Sequence, residues 1–227
     1  MARITSANEE TRRLAFETLI EAYWKPVYKY LRLKWSLDPD QAADVTQEFF
    51  TVALQKDVVE RFDAGRARFR TYLRLCVDGF AANWRKADRR IKRGGQIELV
   101  PLDFESAEGE LARHEPTVPA DVDDLFYREW VRVLLARAVA DLKASAVEAG
   151  RPEMFEVFRR YDLIDDEQAR PTYAELALSL GITATAVTNH LAAMRKRFRQ
   201  LVLDRLRELT SSDEEWEAEA TRLLGRR

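Results

Sequence analysis

One cysteine, two histidines, eight glycines and seven prolines among 227 residues leave little material for several kinds of chemistry. The lone thiol, Cys76, forms no internal disulfide and has no second thiol for a metal site, and His114 and His190 lie far from it along the chain. It falls in the apolar stripe of an expected helix, where a small hydrophobe belongs. No stretch is long and apolar enough to span a bilayer, and the opening MARITSANEETRRLAFETL holds no apolar run fit for a signal peptide. A cytoplasmic protein without a membrane partner is expected. A phosphate loop, a nucleophile elbow and a His/Cys pair in motif spacing are also missing, so neither enzymatic activity nor a cofactor nor a metal is expected.

About a third of the residues are charged, and apolar residues recur at helical rather than alternating spacing, which together indicate an all-α protein. The chain is long enough for two small helical domains, each with its own core. Its net charge of −2 conceals a strong segregation. From Arg61 to Arg93 eleven lysines and arginines face three acids, and from Glu98 to Asp124 nine acids face Arg113 alone. A basic block abutting an acidic one suggests a polyanion-binding surface followed by a solvated or shielding linker.

Phe16, Leu19, Ile20, Tyr23, Trp24, Val27, Tyr28, Leu31 and Trp35 mark a first helix, with Pro26 expected to kink or split it. Asp38-Pro39 opens a second through Ala42, Val45, Phe49, Phe50, Ala53 and Leu54. A turn at Asp63-Ala64-Gly65 precedes a third, carrying Phe69, Leu73, Cys76, Val77, Phe80 and Trp84 on one face and running into RKADRRIKR. Residues 96–122 lack helical periodicity and contain Pro101, Pro116 and Pro119, as an interdomain linker does. A second helical domain begins at Asp123 with Phe126, Trp130, Val133 and Leu134, and SSDEEWEAEATRLLGRR from Ser211 reads as a capped amphipathic helix.

The sharpest local pattern is PTYAELALSLGITATAVTNHLAAMRKRFRQL, residues 171–201. Tyr173, Leu176, Ala177 and Leu180 form the inner face of one helix. Gly181 supplies a tight turn, Ile182 plugs the angle, and Thr183 caps a second helix that holds Val187 and Leu191 inside. This is a helix-turn-helix pattern. Thr183, Thr185, Thr188, Asn189 and His190 are then the polar groups placed to reach a major groove, and Arg195, Lys196, Arg197 and Arg199 suit phosphate contacts.

QAADVTQEFFTVAL (Gln41 to Leu54), ERFDAGRARFRTYLR (Glu60 to Arg74) and a helix ending in NWRKADRR (Asn83 to Arg90) resemble region 2 of the extracytoplasmic-function (ECF) sigma factors of bacterial RNA polymerase. The typical pattern there is an acidic D-A-E-D-L-V-Q-E-x-F motif, an R-F-D-x-G turn, an F-R-x-W/Y-L helix and a basic end. YAELA followed by Gly181-Ile182 and Val187 is similar to sigma region 4. The resemblance covers about Phe16 to Leu209. It implies region 2 at 1–95, an acidic Pro-containing linker at 96–122, region 4 at 123–210, and a C-terminal helical extension at 211–227.

The family resemblance implies a factor that joins core RNA polymerase to promoter DNA. Region 2 would dock on the β′ clamp helices through Asp44, Gln47 and Glu48 and melt the −10 element with Arg66, Arg68, Arg70, Asn83, Trp84, Arg85, Lys86, Arg89 and Arg90. Tyr72 and Trp84 are weighed as base-stacking rings against core packing. Region 4 would sit near the β flap and read the −35 element through Thr183, Thr185, Thr188, Asn189, His190, Arg195 and Arg197.

Two departures stand out. Gln41 and Ala43 replace usual acids, leaving Asp44 and Glu48, and Thr51 shares their helix face. Phosphorylation of Thr51 by a Ser/Thr kinase would restore charge there; the alternatives are an ordinary surface threonine and control by an anti-sigma factor. Asp78-Gly79 stands where Arg and Asn are usual, and the extension from Ser211 is expected either to cover region 4 or simply to dock for stability. An operator-binding regulator that acts without polymerase explains residues 171–201 equally well, but leaves QAADVTQEFF and RFDAGR without a role. A helical partner-binding protein gives no reason for RKADRRIKR.

Overall fold

The computed structural model describes residues 9–55, 58, 61–63, 65–87, 101–113, 122–164 and 166–225. Its regular elements among these residues are all helical: α1 (Glu9–Lys34), α2 (Pro39–Gln55), α3 (Phe69–Ala87), α4 (Phe104–Arg113), α5 (Val122–Glu148), α6 (Pro152–Asp162), a 3-10 turn (Glu167–Ala169), α7 (Tyr173–Leu180), α8 (Ala184–Leu209) and α9 (Asp213–Leu224). The protein is all-α. It divides into two compact units, Met1–Val133 with Glu208–Glu219 and Leu134–Arg207 with Ala220–Arg227.

In the first unit α1 is the central element. Val27, Tyr28, Lys29, Tyr30 and Leu31 are all buried in succession, more than one apolar stripe accounts for, because α2, α3 and α4 all pack on this helix. Pro26 sits inside α1 without ending it, at the cost of one backbone hydrogen bond. Tyr23 stacks near Phe126 and Trp130 of α5 and meets Phe69 of α3 edge-on, with ring centroids 6.4, 6.4 and 5.7 Å away. Burial of side chains this large stabilises by ~1.5–3 kcal/mol each. α2 opens where Asp38 accepts a hydrogen bond from the Gln41 N–H at 2.8 Å, the cap expected of Asp38-Pro39.

Two expectations fail in this unit. The segment taken as an aperiodic acidic linker contains α4, started by an Asp103 side chain that accepts from the Ser106 N–H at 2.9 Å. Two of its acids bind cations of α1. Glu108 is 2.6 Å from Arg32, and Glu110 is 2.7 Å from both Lys25 and Lys29. The Arg32 bond holds the Glu108 carboxyl below its ordinary range. The second correction concerns the boundary at 123: Phe126 and Trp130 belong to the first unit's core, and the division falls inside α5. A continuous helix shows no composition change at such a point, so sequence patterning could not mark it.

The second unit is built on Leu134, Ala138, Leu142 and Ala146 of α5, Phe155, Val157 and Phe158 of α6, and Leu201, Val202, Leu203 and Leu206 of α8. A cluster of Val157, Leu176, Ala177, Val187 and Leu191 fixes α6, α7 and α8 together, with Tyr161, Tyr173, Leu180 and Ile182 around it. Among the described residues no single helix is long and apolar enough to cross a membrane.

Candidate nucleic-acid interface

α7 and α8 are bent by 101° across a break of three residues, the geometry of a helix-turn-helix. Local chemistry sets this angle. Thr172 and Glu175 form a reciprocal capping box at the start of α7. Gly181 ends the helix at φ 66°, a left-handed conformation that a side chain would strain. Thr183 then accepts from the Ala186 N–H at 3.1 Å and caps α8. Val187 and Leu191 face the core, so Thr185, Thr188 and Asn189 are left exposed on the opposite side, with Thr183 at the turn and His190 half-buried.

The cations beyond that row differ among themselves. Lys196 and Arg197 are exposed. Arg195, expected to reach phosphate, is held by Asp162 through two hydrogen bonds of 2.8 Å and lies over the Tyr161 ring at 5.6 Å. That pairing raises its already high pKa. Sequence spacing cannot show this constraint, because Asp162 is on another helix.

In the first unit, Asp44, Gln47 and Glu48 are exposed along α2, as their helical spacing implies. Thr51 follows them half-buried, its hydroxyl donating to the Gln47 carbonyl at 2.9 Å.

The residues expected to hold the −10 strand separate into two groups. Arg66 is exposed, paired loosely with Asp63 at 3.1 Å. Arg68 and Arg70 are not free: both approach the Glu219 carboxylate of α9, at 2.7 and 2.5 Å. Arg70 is 11 % exposed and lies over the rings of Tyr127 and Trp130. Tyr72 is half-buried beside Phe62 and Phe69, with its hydroxyl donating to the Val58 carbonyl at 2.7 Å.

Further along α3, Asn83, Arg85 and Lys86 are exposed and Trp84 is half-buried. Arg89 and Arg90 lie outside the described residues. Trp35, read from sequence only as the end of an apolar stripe, is the residue missed here. Arg85 donates to its carbonyl at 2.7 Å and sits 5.3 Å from its ring centroid, and an open cleft of about 420 Å³ is lined by Trp35, Ala82, Arg85 and Lys86. An aromatic face beside two cations suits an unstacked base and its phosphate.

Asp78, which stands where a cation was expected, accepts from the Tyr30 hydroxyl at 2.8 Å, the Trp35 indole N–H at 2.9 Å and Arg74 at 3.0 Å. It locks α3 to the end of α1. Among the described residues no group of His, Cys, Asp and Glu is placed to hold a metal ion. Comparison with protein-family patterns, with curated proteins and with solved structures finds no match for this chain.

Proposed function

We propose that this chain is an ECF-type sigma factor: a non-enzymatic protein that binds core RNA polymerase and directs it to promoter DNA. The observation that carries this reading is the combination, in one chain, of a capped helix-turn-helix bearing an exposed Thr185/Thr188/Asn189 row and a separate helical unit bearing both exposed acids on α2 and a cation-rich α3. The first suits a −35 element in the major groove, and the second suits a basic polymerase surface and an opened −10 strand. The cleft at Trp35, Arg85 and Lys86 supports the second role by offering stacking beside charge.

Asp44, Gln47 and Glu48 are the proposed contacts to the β′ clamp helices, and unit two is the proposed neighbour of the β flap. Phosphorylation of Thr51 would add up to about two charges beside Asp44 and Glu48, after its bond to the Gln47 carbonyl is given up. A Ser/Thr kinase and an anti-sigma factor are the two proposed classes of regulator, and no cofactor is needed. Run-off transcription with core polymerase tests the reading. A discrete start site with the native, Thr51→Glu or kinase-treated chain, lost in Asp44→Ala/Glu48→Ala, supports it; no transcript from any template with any of these forms rejects it.

The engagement of Arg68 and Arg70 by Glu219 favours a second reading, an operator-binding regulator that needs no single-strand surface. Sequence-specific duplex binding with no affinity for polymerase would select it.

A further inference from the structure

The start of α3 is an anion-binding arrangement with an anion already in it. Arg68 and Arg70 converge on one oxygen of Glu219, and the first N–H of α3, that of Phe69, donates to Glu215 at 3.3 Å. Two guanidinium groups and a helix N-terminus are the donor set that oxyanions seek. Both carboxylates come from α9, one turn apart on one face, a separation comparable with that of successive phosphates along an extended strand.

Glu219 is 0 % exposed, and its second carboxylate oxygen, Oε2, has no hydrogen-bond partner. A helix added for stability alone would present an apolar residue at that depth, because replacing a buried ion pair by packed hydrophobes is often neutral or stabilising. Glu215 is tied to the chain just ahead of α9: it accepts from the Ser211 N–H at 2.9 Å and the Ser211 hydroxyl at 2.7 Å while its other oxygen reaches α3. The first turn of α9 adds Asp213 and Glu214.

We infer that α9 is an internal stand-in for nucleic-acid phosphate, seated on Arg68, Arg70 and the Phe69 N–H, and that single-stranded nucleic acid must displace it to use that site. This deepens the sigma reading and rests on it for the identity of the ligand. Of the two expectations for the extension, covering region 4 or docking for stability, neither placed it on α3; Glu215 and Glu219 lie against the start of that helix. Docking of α9 and gripping of an opened strand are mutually exclusive, since one donor set serves both.

The test uses full-length protein and a fluorescent mixed-sequence single-stranded DNA of about a dozen nucleotides, with anisotropy read across a salt series and folding checked by circular dichroism. Glu219→Gln is expected to tighten binding at least tenfold at low salt and to steepen the salt dependence of log K by about 1.4, two phosphate contacts at about 0.7 each. Adding Arg68→Ala to Glu219→Gln removes most of that gain. Glu215→Gln, which leaves the buried pair intact, gives a smaller gain, and decides the matter alone if Glu219→Gln does not fold. Unchanged strand affinity in the folded variants overturns the inference. Polymerase binding, measured separately on the native, Thr51→Glu and kinase-treated chain, reports on the sigma reading itself: a strand-affinity gain with no polymerase binding in any of the three forms upholds the α9 device and rejects that reading, and the reverse pattern does the opposite.

Discussion

The Lys29 ammonium lies 2.6 Å from the Glu129 carboxylate with the lysine side chain 1 % exposed, and Glu110 approaches its other side at 2.7 Å. A lysine on the inward face of α1 thus ties that helix to α4 and to the first part of α5. Lys29→Ala would leave Glu129 buried with Arg132, at 2.8 Å, as its remaining cation among the described residues. Loss of one partner from a buried ion pair costs about 3–5 kcal/mol. Urea unfolding should show a lowered midpoint at unchanged slope, whereas a loss below about 1 kcal/mol would mean that the pair is solvated in solution.

Asp78→Ala removes the shared acceptor of the Tyr30 hydroxyl and the Trp35 indole N–H, with Tyr30 at 0 % exposure. Leaving such donors unsatisfied costs about 1–3 kcal/mol. The expected result is a clear fall in thermal stability, together with a change in tryptophan fluorescence as Trp35 loses its anchor. Asp78→Asn, which keeps an acceptor, should recover part of the stability.

The angle between α7 and α8 depends on a few local groups. Thr172→Ala breaks the capping box and is expected to cost about 1 kcal/mol, and Gly181→Ala, at φ 66°, about 1–2 kcal/mol. Both should weaken duplex DNA binding without altering which sequence is preferred, as read by electrophoretic mobility shift on a panel of sites. A change in preference would mean that these residues touch bases.

Asn189 and Arg197 are both exposed on α8 but are expected to act differently. Asn189→Ala should lose about 1–3 kcal/mol of discrimination at one base position. Arg197→Ala should weaken all sequences alike and lower the salt slope of log K by about 1. Competition titrations at two salt concentrations separate the two outcomes.

What the sequence made legible was what neighbouring residues decide. The turn at Gly181 and the cap at Thr183 follow from residues within a few positions of each other, and the structure has both. The stripes of α1, α2 and α3 are equally local. Pairings between distant elements were out of reach: Arg68 and Arg70 with Glu219, Arg195 with Asp162, and Glu108 and Glu110 with α1. In each case local sequence leaves the charged residue looking solvated or free for nucleic acid, while a counter-charge far along the chain takes it up.

The acidic segment shows why α4 was missed. Phe104, Ala107 and Leu111 do recur at helical spacing, and Phe104 meets Trp24 and Tyr28 at ring distances of 5.4 and 5.1 Å. The prolines on either side and the density of acids outweighed that short repeat.

The most direct measurement is equilibrium binding of the purified full-length chain to core RNA polymerase, repeated with Thr51→Glu and with kinase-treated protein. Binding in at least one of these forms, competing with another sigma factor, is the expected result, and tightening with the added charge would identify Thr51 as the switch. Absence of binding in all three forms, while duplex DNA is still bound specifically, would contradict the sigma reading and leave an operator-binding regulator.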